Sequence, residues 1–484
     1  MRERLRRLEE QARLAAATLE ERVGELMQPT LRLGVTGLSR SGKTVFLAAL
    51  VHNLIHGGRL PLFAPYAQGR LSRAFLAHQP DDDVPRFPYE EHVRALVDER
   101  IWPQSTRRIA ELRVTIEFES ARLLNRRIGR GTLHLDLVDY PGEWLLDLPL
   151  MHLTYAKWCE EAAEEARRRP EDAKDWLAAM AATDPAAPAR EDLAQALAET
   201  FTRYLRAARA DPDALASLPP GRFLMPGDME GSPALTFAPL ALPAGEGSAP
   251  SGSLWAMMER RFEAYKTHVV RPFFREHFAR LDRQIVLVDV LSALNGGPAA
   301  LDELRRALTS VLACFRAGKL SFLGSLVDRR IDKILFVATK ADHIHHTDHD
   351  RLERILMHLV AEAREKAAFA GAEVDVAAMA AVRATREGTA TQGGETFPTI
   401  IGTPMPGERI SGREFDGNRE VGLFPGDLPD DPAAVFMDPR DEFGVTTLRF
   451  RPGVIERSGS GVTLSLPHIR LDRVLQTLIG DRLE

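Results

Sequence analysis

The octet Gly37-Leu38-Ser39-Arg40-Ser41-Gly42-Lys43-Thr44 constrains the fold of this 484-residue chain more than any other stretch. It follows the apolar run LRLGVT and precedes VFLAAL, and its spacing is G-x-x-x-x-G-K-[ST]. The first run reads as a buried strand, and Thr44 to Ile55 carries apolar residues at helical spacing. Strand, glycine loop and helix, in that order, let backbone N–H groups converge on an anion at a helix N-terminus. The octet therefore predicts an α/β fold that holds a phosphate.

The rest of the chain agrees with that prediction. Short apolar runs alternate with helical patterns, as in βαβ units of a mostly parallel sheet. Strands are expected near residues 31–36, 111–118, 132–138, 284–290, 332–338 and 376–383, with helices over 43–56, 298–316, 350–369 and 467–482. About 140 residues separate the third and fourth strands. They begin as Ala-, Arg- and Glu-rich helix from 153 to 210, pass through a Pro/Gly/Ser-rich stretch, and end in a long helix over 254–281. This reads as a helical insertion with a long connecting loop. A smaller insertion over 388–465 is rich in Gly, Pro and Asp, with TTLRFR and GVTLSL as short strands.

The expected division is an N-terminal amphipathic helix (1–28), the first part of the phosphate-binding domain (29–150), the helical insertion (151–281) and the second part of the domain (282–387). The Gly/Pro-rich insertion (388–465) and a C-terminal helix (466–484) complete it. No repeat of 20 to 50 residues is evident. The echo between LMPGD and LFPGD is shared turn chemistry, with Pro and Gly at the two central positions.

Charge and composition exclude some classes. A formal net charge of −6, with no long basic block, argues against a general nucleic-acid binder. The N-terminal segment has no continuous apolar core and is not read as a secretion signal. Its basic residues Arg2, Arg4, Arg6 and Arg7 suit an anionic membrane surface, but packing on its own domain or a partner is favoured. Cys159 and Cys314 are expected to be buried free thiols, which a reducing cytoplasm suits.

The chemistry is carried by three motifs. In a phosphate loop, Lys43 reaches the outer phosphates and the Thr44 hydroxyl binds Mg²⁺. Gly37, Ser39, Arg40, Ser41, Gly42 and Val45 complete the candidate cradle. A second magnesium ligand is expected at the carboxyl end of a neighbouring strand, where ligands gather in open α/β sheets. In LHLDLVDYPGEW, Asp136 falls inside the strand, whereas Asp139 ends it and opens the pattern D-x-x-G with Gly142. The Gly142 N–H can bond the γ-phosphate. The third motif is Thr339-Lys340-Ala341-Asp342, which ends the apolar run KILFVA. A carboxylate there accepts from guanine N1–H and N2–H₂ and repels the acceptor N1 of adenine. Sites built for a specific donor discriminate by roughly 10⁴ to 10⁵ when it is missing. The aliphatic stem of Lys340 would lie over the base.

With these motifs in order, the chain resembles the translation-factor-related class of GTPases and, within it, the bacterial YcjX-like family. GLSRSGKT, IWPQST, DYPGEW, GRFLMPGD, TKAD and VRAT carry the resemblance, which spans nearly everything beyond the N-terminal helix. It implies a P-loop G domain, GTP and GDP as ligands and Mg²⁺ as cofactor. It further implies that Thr106 closes over the metal and that Arg383-Ala384-Thr385 touches the guanine from the backbone. A stress-related role and a membrane-protein partner are also implied; the expected location is the cytoplasm, with peripheral contact at the inner membrane as an alternative.

The chain departs from small GTPases at Glu143, where many have a water-orienting glutamine. A carboxylate beside the γ-phosphate repels it unless screened, so slow hydrolysis is expected, with Lys43, Thr106, Gly142 and Glu143 around the reacting phosphate. Alternatively Glu143 points to solvent. Arg40, and Arg100 or Arg107, are candidates for an arginine acting in cis, but an ordinary surface arginine is the favoured reading for each. The leading expectation is thus a slow GTPase switch. The alternatives are a nucleotide-gated scaffold without useful turnover, an ATP-dependent P-loop kinase or ATPase, and a dynamin-like membrane remodeller. DHIHHTDHD, residues 342–350, packs four histidines beside three aspartates, but it is read as an exposed loop after the base motif, not a metal site. Glu143 and Asp147 as a glycosidase-type carboxylate pair lack any accompanying sugar-site pattern.

Overall fold

Burial of nearly every residue of Thr30–Gly37 places this strand, β1, at the centre of the molecule. A computed structural model of the chain describes residues 29–37, 40–104, 108–121, 131–210, 219–241, 250–315, 331–369, 372–392, 394–410, 412–436, 445–455 and 465–484. The expected helix over 1–28 and the loop residues Leu38 and Ser39 lie outside them, as do Thr106, Arg107 and most of GVTLSL.

Seven strands form the central sheet: β1, β2 (Leu71–Ala77), β3 (Ala110–Phe118), β4 (Gly131–Asp139), β5 (Arg283–Val288), β6 (Lys333–Ala338) and β7 (Glu373–Ala378). Their order is β2-β3-β4-β1-β5-β6-β7. The pairs β4–β1, β1–β5, β5–β6 and β6–β7 are parallel, while β2–β3 and β3–β4 are antiparallel. Parallel strands need crossovers that cover both faces, which is why β1, β5 and β6 read as continuous apolar runs.

The helices that supply those crossovers fill two layers. On one face α1 (Lys43–Ile55) and the C-terminal helix, α8 (Leu471–Ile479), pack Phe46, Leu50, Leu471, Leu475 and Leu478 against Leu33, Val35 and Leu135. On the other, α6 (Pro298–Phe315) and α7 (His349–Phe369) bury Leu301, Leu304, Leu352 and Leu356 against Val286, Val288 and Phe336. This is a doubly wound P-loop fold, as the octet predicts.

Between β4 and β5 the chain leaves the sheet. Residues 142–152 form a 3₁₀ turn, followed by α2 (Tyr155–Arg168), α3 (Pro170–Ala181), α4 (Glu191–Ala210) and α5 (Leu254–Tyr265). The helix expected over 153–210 is thus three helices, divided at Arg169-Pro170 and by the turn before Glu191, because proline removes a helical donor. The helix expected over 254–281 is likewise segmented, with a π turn at Lys266–Val270 ahead of Pro272. This insertion has its own aromatic core, in which Trp158 stacks on Phe262 at 5.1 Å and Trp176 on Tyr204 at 5.5 Å. Cys159 is a buried free thiol in this core, its pKa pushed up to about 12 by burial.

After β7 the chain builds β8 (Arg386–Gln392), β9 (Glu395–Gly402), the short hairpin β10 (Arg409–Ile410) and β11 (Arg413–Glu414), and β12 (Val421–Leu423). β12, β9 and β8 form a small antiparallel sheet. The TTLRFR segment contributes only an isolated bridge, Phe450 opposite Pro404.

Candidate nucleotide site

The parallel strands end together, and the motifs gather at those ends. Gly37 closes β1 between β4 and β5. A Cβ there would lie 2.2 Å from Ser41 Oγ and 2.7 Å from the Leu287 carbonyl oxygen, so the loop can fold back over β5 only from a glycine. Gly42 sits at φ 84°, in the left-handed region that glycine adopts freely, and turns the chain into α1. No side chain caps α1 and no acidic residue lies in its first turn. Its first N–H groups and dipole therefore face the loop, which is how a helix presents an anion site. Ser41 Oγ is buried without a protein hydrogen bond among the described residues. Thr44 is buried, and its hydroxyl donates to the Gln104 carbonyl at 3.4 Å, linking the helix start to the WPQST segment.

Asp139 ends β4 and is fully buried, in register with Val35 of β1. Asp136, three residues earlier, is committed to Arg113 of β3 at 2.6 and 2.8 Å. Of the two, Asp139 is the carboxylate at the loop end of the sheet. Gly142 follows, buried, at the start of the 3₁₀ turn.

The segment after β6 adds the second half. Lys340 takes a left-handed conformation, φ 60°, and its ammonium pairs with Asp289. Asp289 caps the short helix Val290–Asn295 by accepting from Ser292 N–H at 3.2 Å and Ser292 Oγ–H at 2.7 Å. Burial works to raise the Asp289 pKa, but Lys340 and Ser292 more than offset it and hold the carboxyl below its usual range. Asp342 is buried, and its Oδ2 accepts from Ala384 N–H at 2.8 Å while its carbonyl accepts from the Thr385 hydroxyl. Arg383 braces that loop by donating from Nε to the Thr385 carbonyl at 3.0 Å. Two motifs that lie about 40 residues apart in sequence are thus hydrogen-bonded to each other at adjacent strand ends.

A chain with these elements in this order can be compared with known families. A family model described as "YcjX-like family, DUF463" matches residues 31–483. The protein belongs to the YcjX-like family. "Ras-like GTPase YcjX" of Escherichia coli (strain K12) is 39% identical over 474 residues, covering 94% of this chain and 96% of the relative. The protein of the same name from Shewanella oneidensis is 34% identical over 476 residues, covering 94% and 95%.

Within this YcjX-like chain the structure corrects one alternative and places several other residues named from the sequence. Glu143 does not point to solvent: it is buried and accepts a 2.6 Å hydrogen bond from Arg209 of α4. Arg100, a candidate cis arginine, donates instead to the Pro452 carbonyl at 3.1 Å, while Arg40 is exposed at φ 63°. Lys340 is anchored by Asp289, which lies just past the end of β5 and caps the next helix, although the strand is expected to run to residue 290. The histidine-rich stretch divides in two. His345 and His346 stay near the surface beside Glu387 of β8, with ligand atoms of all three within 4.8 Å of one another. His346 Nδ1 is hydrogen-bonded to Glu387 at 2.8 Å and His345 Nδ1 to the Thr347 hydroxyl at 3.0 Å. His349 turns inward, and its Nε2 bonds the Ala341 carbonyl at 2.8 Å, steadying the base motif from below. No described helix is long and apolar enough to cross a membrane.

Proposed function

We propose that this chain binds guanine nucleotides and hydrolyses GTP slowly, acting as a nucleotide-state switch. The observation that carries the proposal is the Asp342–Ala384–Thr385 hydrogen-bonded pair at the sheet end that also holds the glycine-rich loop. Each carboxylate oxygen has two acceptor positions, so Asp342 can keep the Ala384 bond and still accept guanine N1–H and N2–H₂. The bond to Ala384 fixes the carboxylate plane before the base arrives. Guanine O6 then faces the backbone of Ala384 and Thr385. Lys43 and the α1 N-terminus meet the phosphates, and Gly142 offers its N–H to the γ-phosphate.

The residues present fit a magnesium ion. Thr44 and Asp139 are hard oxygen donors at the loop end of neighbouring elements, and Mg²⁺ is held through one or two such groups plus phosphate oxygens. When bound, it neutralises charge between the outer phosphates. Thr106 is the proposed third ligand, from the segment that Gln104 tethers to Thr44. Ordering of that segment and of Gly142 by the γ-phosphate is the switch. The ion pair that occupies Glu143 leaves no free water-orienting carboxylate there and supports slow turnover; at its limit this is a scaffold that binds without useful hydrolysis. The family resemblance carries with it a stress-related role and a membrane-protein partner.

Calorimetric titration of the full-length protein with GTP, GDP and ATP in Mg²⁺ tests the proposal. Tight guanine-nucleotide binding with ATP undetectable is expected. Comparable ATP binding would replace it with the kinase or ATPase reading. Single-turnover hydrolysis compared with GTP dissociation separates switch from scaffold.

A further inference from the structure

Glu143 follows directly on the D-x-x-G glycine, where a carboxylate opposes an incoming γ-phosphate. Burial worsens that opposition, because charges interact more strongly away from water. Among the described residues its carboxylate pairs not with a group of the phosphate-binding domain but with one in the helical insertion. Arg209 Nη2, in the last turn of α4, lies 2.6 Å from Glu143 Oε1, with side-chain exposures of 23% and 10%. We infer that Arg209 is a positioning residue that neutralises Glu143, so that the helical insertion sets the preference of the site for GTP over GDP. This inference rests on the guanine-nucleotide reading above.

The surrounding geometry makes the pair a coupling element and not a loose surface contact. The Glu143 carbonyl is pressed against Gly221 of the GRFLMPGD segment, where a Cβ would come within 1.9 Å of it. Asp147, one turn further on, is fully buried and accepts from Gly221 N–H at 2.7 Å, Arg222 N–H at 3.3 Å and Tyr265 O–H at 2.6 Å. The Arg222 guanidinium stacks 3.2 Å over the Trp144 ring, whose Nε1–H donates to the Met225 carbonyl at 3.2 Å. Backbone, charge and ring contacts thus fasten residues 143–147 to three parts of the insertion: α4, the 221–225 segment and α5. A γ-phosphate that moves Gly142 must move Glu143, and Glu143 carries Arg209 with it. GDP lacks the group that Glu143 opposes, so the pair is silent toward it.

The test is the ratio of GTP to GDP affinity, measured with a non-hydrolysable GTP analogue and GDP on the full-length chain. Arg209→Ala should weaken the GTP analogue selectively, by about tenfold within the usual 5- to 150-fold range of coupling between sites, and leave GDP nearly unchanged. Arg209→Ala/Glu143→Gln should restore the ratio, because the opposing charge is gone. Glu143→Gln alone, close to isosteric, should shift the ratio toward GTP, and Arg209→Lys should stay near wild type. If Arg209→Ala fails to fold, the opposite shift in Glu143→Gln and the ratio in the double variant decide the matter. Equal losses for both nucleotides, or no rescue in the double variant, overturn the inference while leaving guanine binding intact. A wild-type protein that binds neither nucleotide overturns the reading beneath it.

Discussion

The two insertions hold the phosphate-binding domain by different means. The helical insertion grips the D-x-x-G segment from a large core of its own, built on Tyr155, Trp158, Trp176, Phe201, Phe237 and Phe262. The smaller insertion builds a cluster of its own from Ile400, Phe415, Leu448 and Phe450 with Ala384, and lends Leu428, Val435, Val445 and Ile455 to the cores on the two faces of the sheet. At residues 100–104 its hold is lighter: Trp102 Nε1–H donates to the Phe450 carbonyl at 2.6 Å, Arg100 donates to Pro452, and the half-buried Trp102 ring packs on the small cluster. The Phe450 ring meets His343 edge-on, 5.4 Å away, beside the base motif. Each fully buried large apolar side chain contributes about 1.5–3 kcal/mol, so the grip on residues 143–147 is stiff, whereas the few contacts at residues 100–104 leave that hold adjustable. A stiff body fastened to Glu143 transmits movement, whereas a lightly held strap at residues 100–104 permits it. That division suits a switch in which one segment orders and another reports.

The comparison breaks most visibly in the helical core. Trp158→Ala should destabilise the chain by about 3–5 kcal/mol, read as a lowered denaturation midpoint. Amide exchange in α2 to α5 should rise far more than in β8 and β9. Equal exchange in both regions would mean that the two insertions are one cooperative body.

Next in size is a pH effect at Asp147. Its pKa is pushed up from 3.8 to about 6, first by burial, with the Tyr265 and Gly221 hydrogen bonds pulling the other way. The folded state therefore keeps a proton between these values that the unfolded state has released. Asp147 stabilises the fold below about pH 4, and that contribution is lost as pH rises to about 6, roughly 3 kcal/mol in all at 1.36 kcal/mol per unit. Denaturation midpoints of wild type against Asp147→Asn across this window should show the slope in wild type and a shallower one in the variant. Parallel slopes would remove Asp147 from the account.

Smallest is the strap. Trp102→Phe should remove one hydrogen bond, about 0.5–1.5 kcal/mol, and speed amide exchange over residues 100–104 with little change in the global midpoint. A global loss as large as that of Trp158→Ala would contradict the adjustable grip.

How legible all this was depended on how local the signal is. β1, the loop and α1 follow from contiguous residues, because a buried parallel strand is a plain apolar run and the loop needs its glycines. β2 was missed because, as an antiparallel edge strand, it buries only Ala74, and LSRAFLA shows neither a continuous apolar run nor a strict alternation. β7 was expected over 376–383, but the strand runs Glu373–Ala378 and Ala380 turns to pair with Ile469 near the C-terminus. Asp342 and Thr385 were readable as motifs, but not their mutual hydrogen bond. Arg209 left no trace near Glu143, since 66 residues and a helical fold separate them. Asp289 was hidden because VLVDV continues the strand pattern until the capping geometry ends it.

The central claim is that Asp342 reads the base, and the direct measurement is Asp342→Asn titrated with GTP and XTP. Asparagine cannot accept from both guanine donors, but its N–H can meet the 2-oxo group of xanthine. The account predicts that the variant loses GTP by at least about 10²-fold, as expected when buried polar groups lose their match, and gains XTP. A variant that binds GTP as wild type does would show that the base is recognised elsewhere.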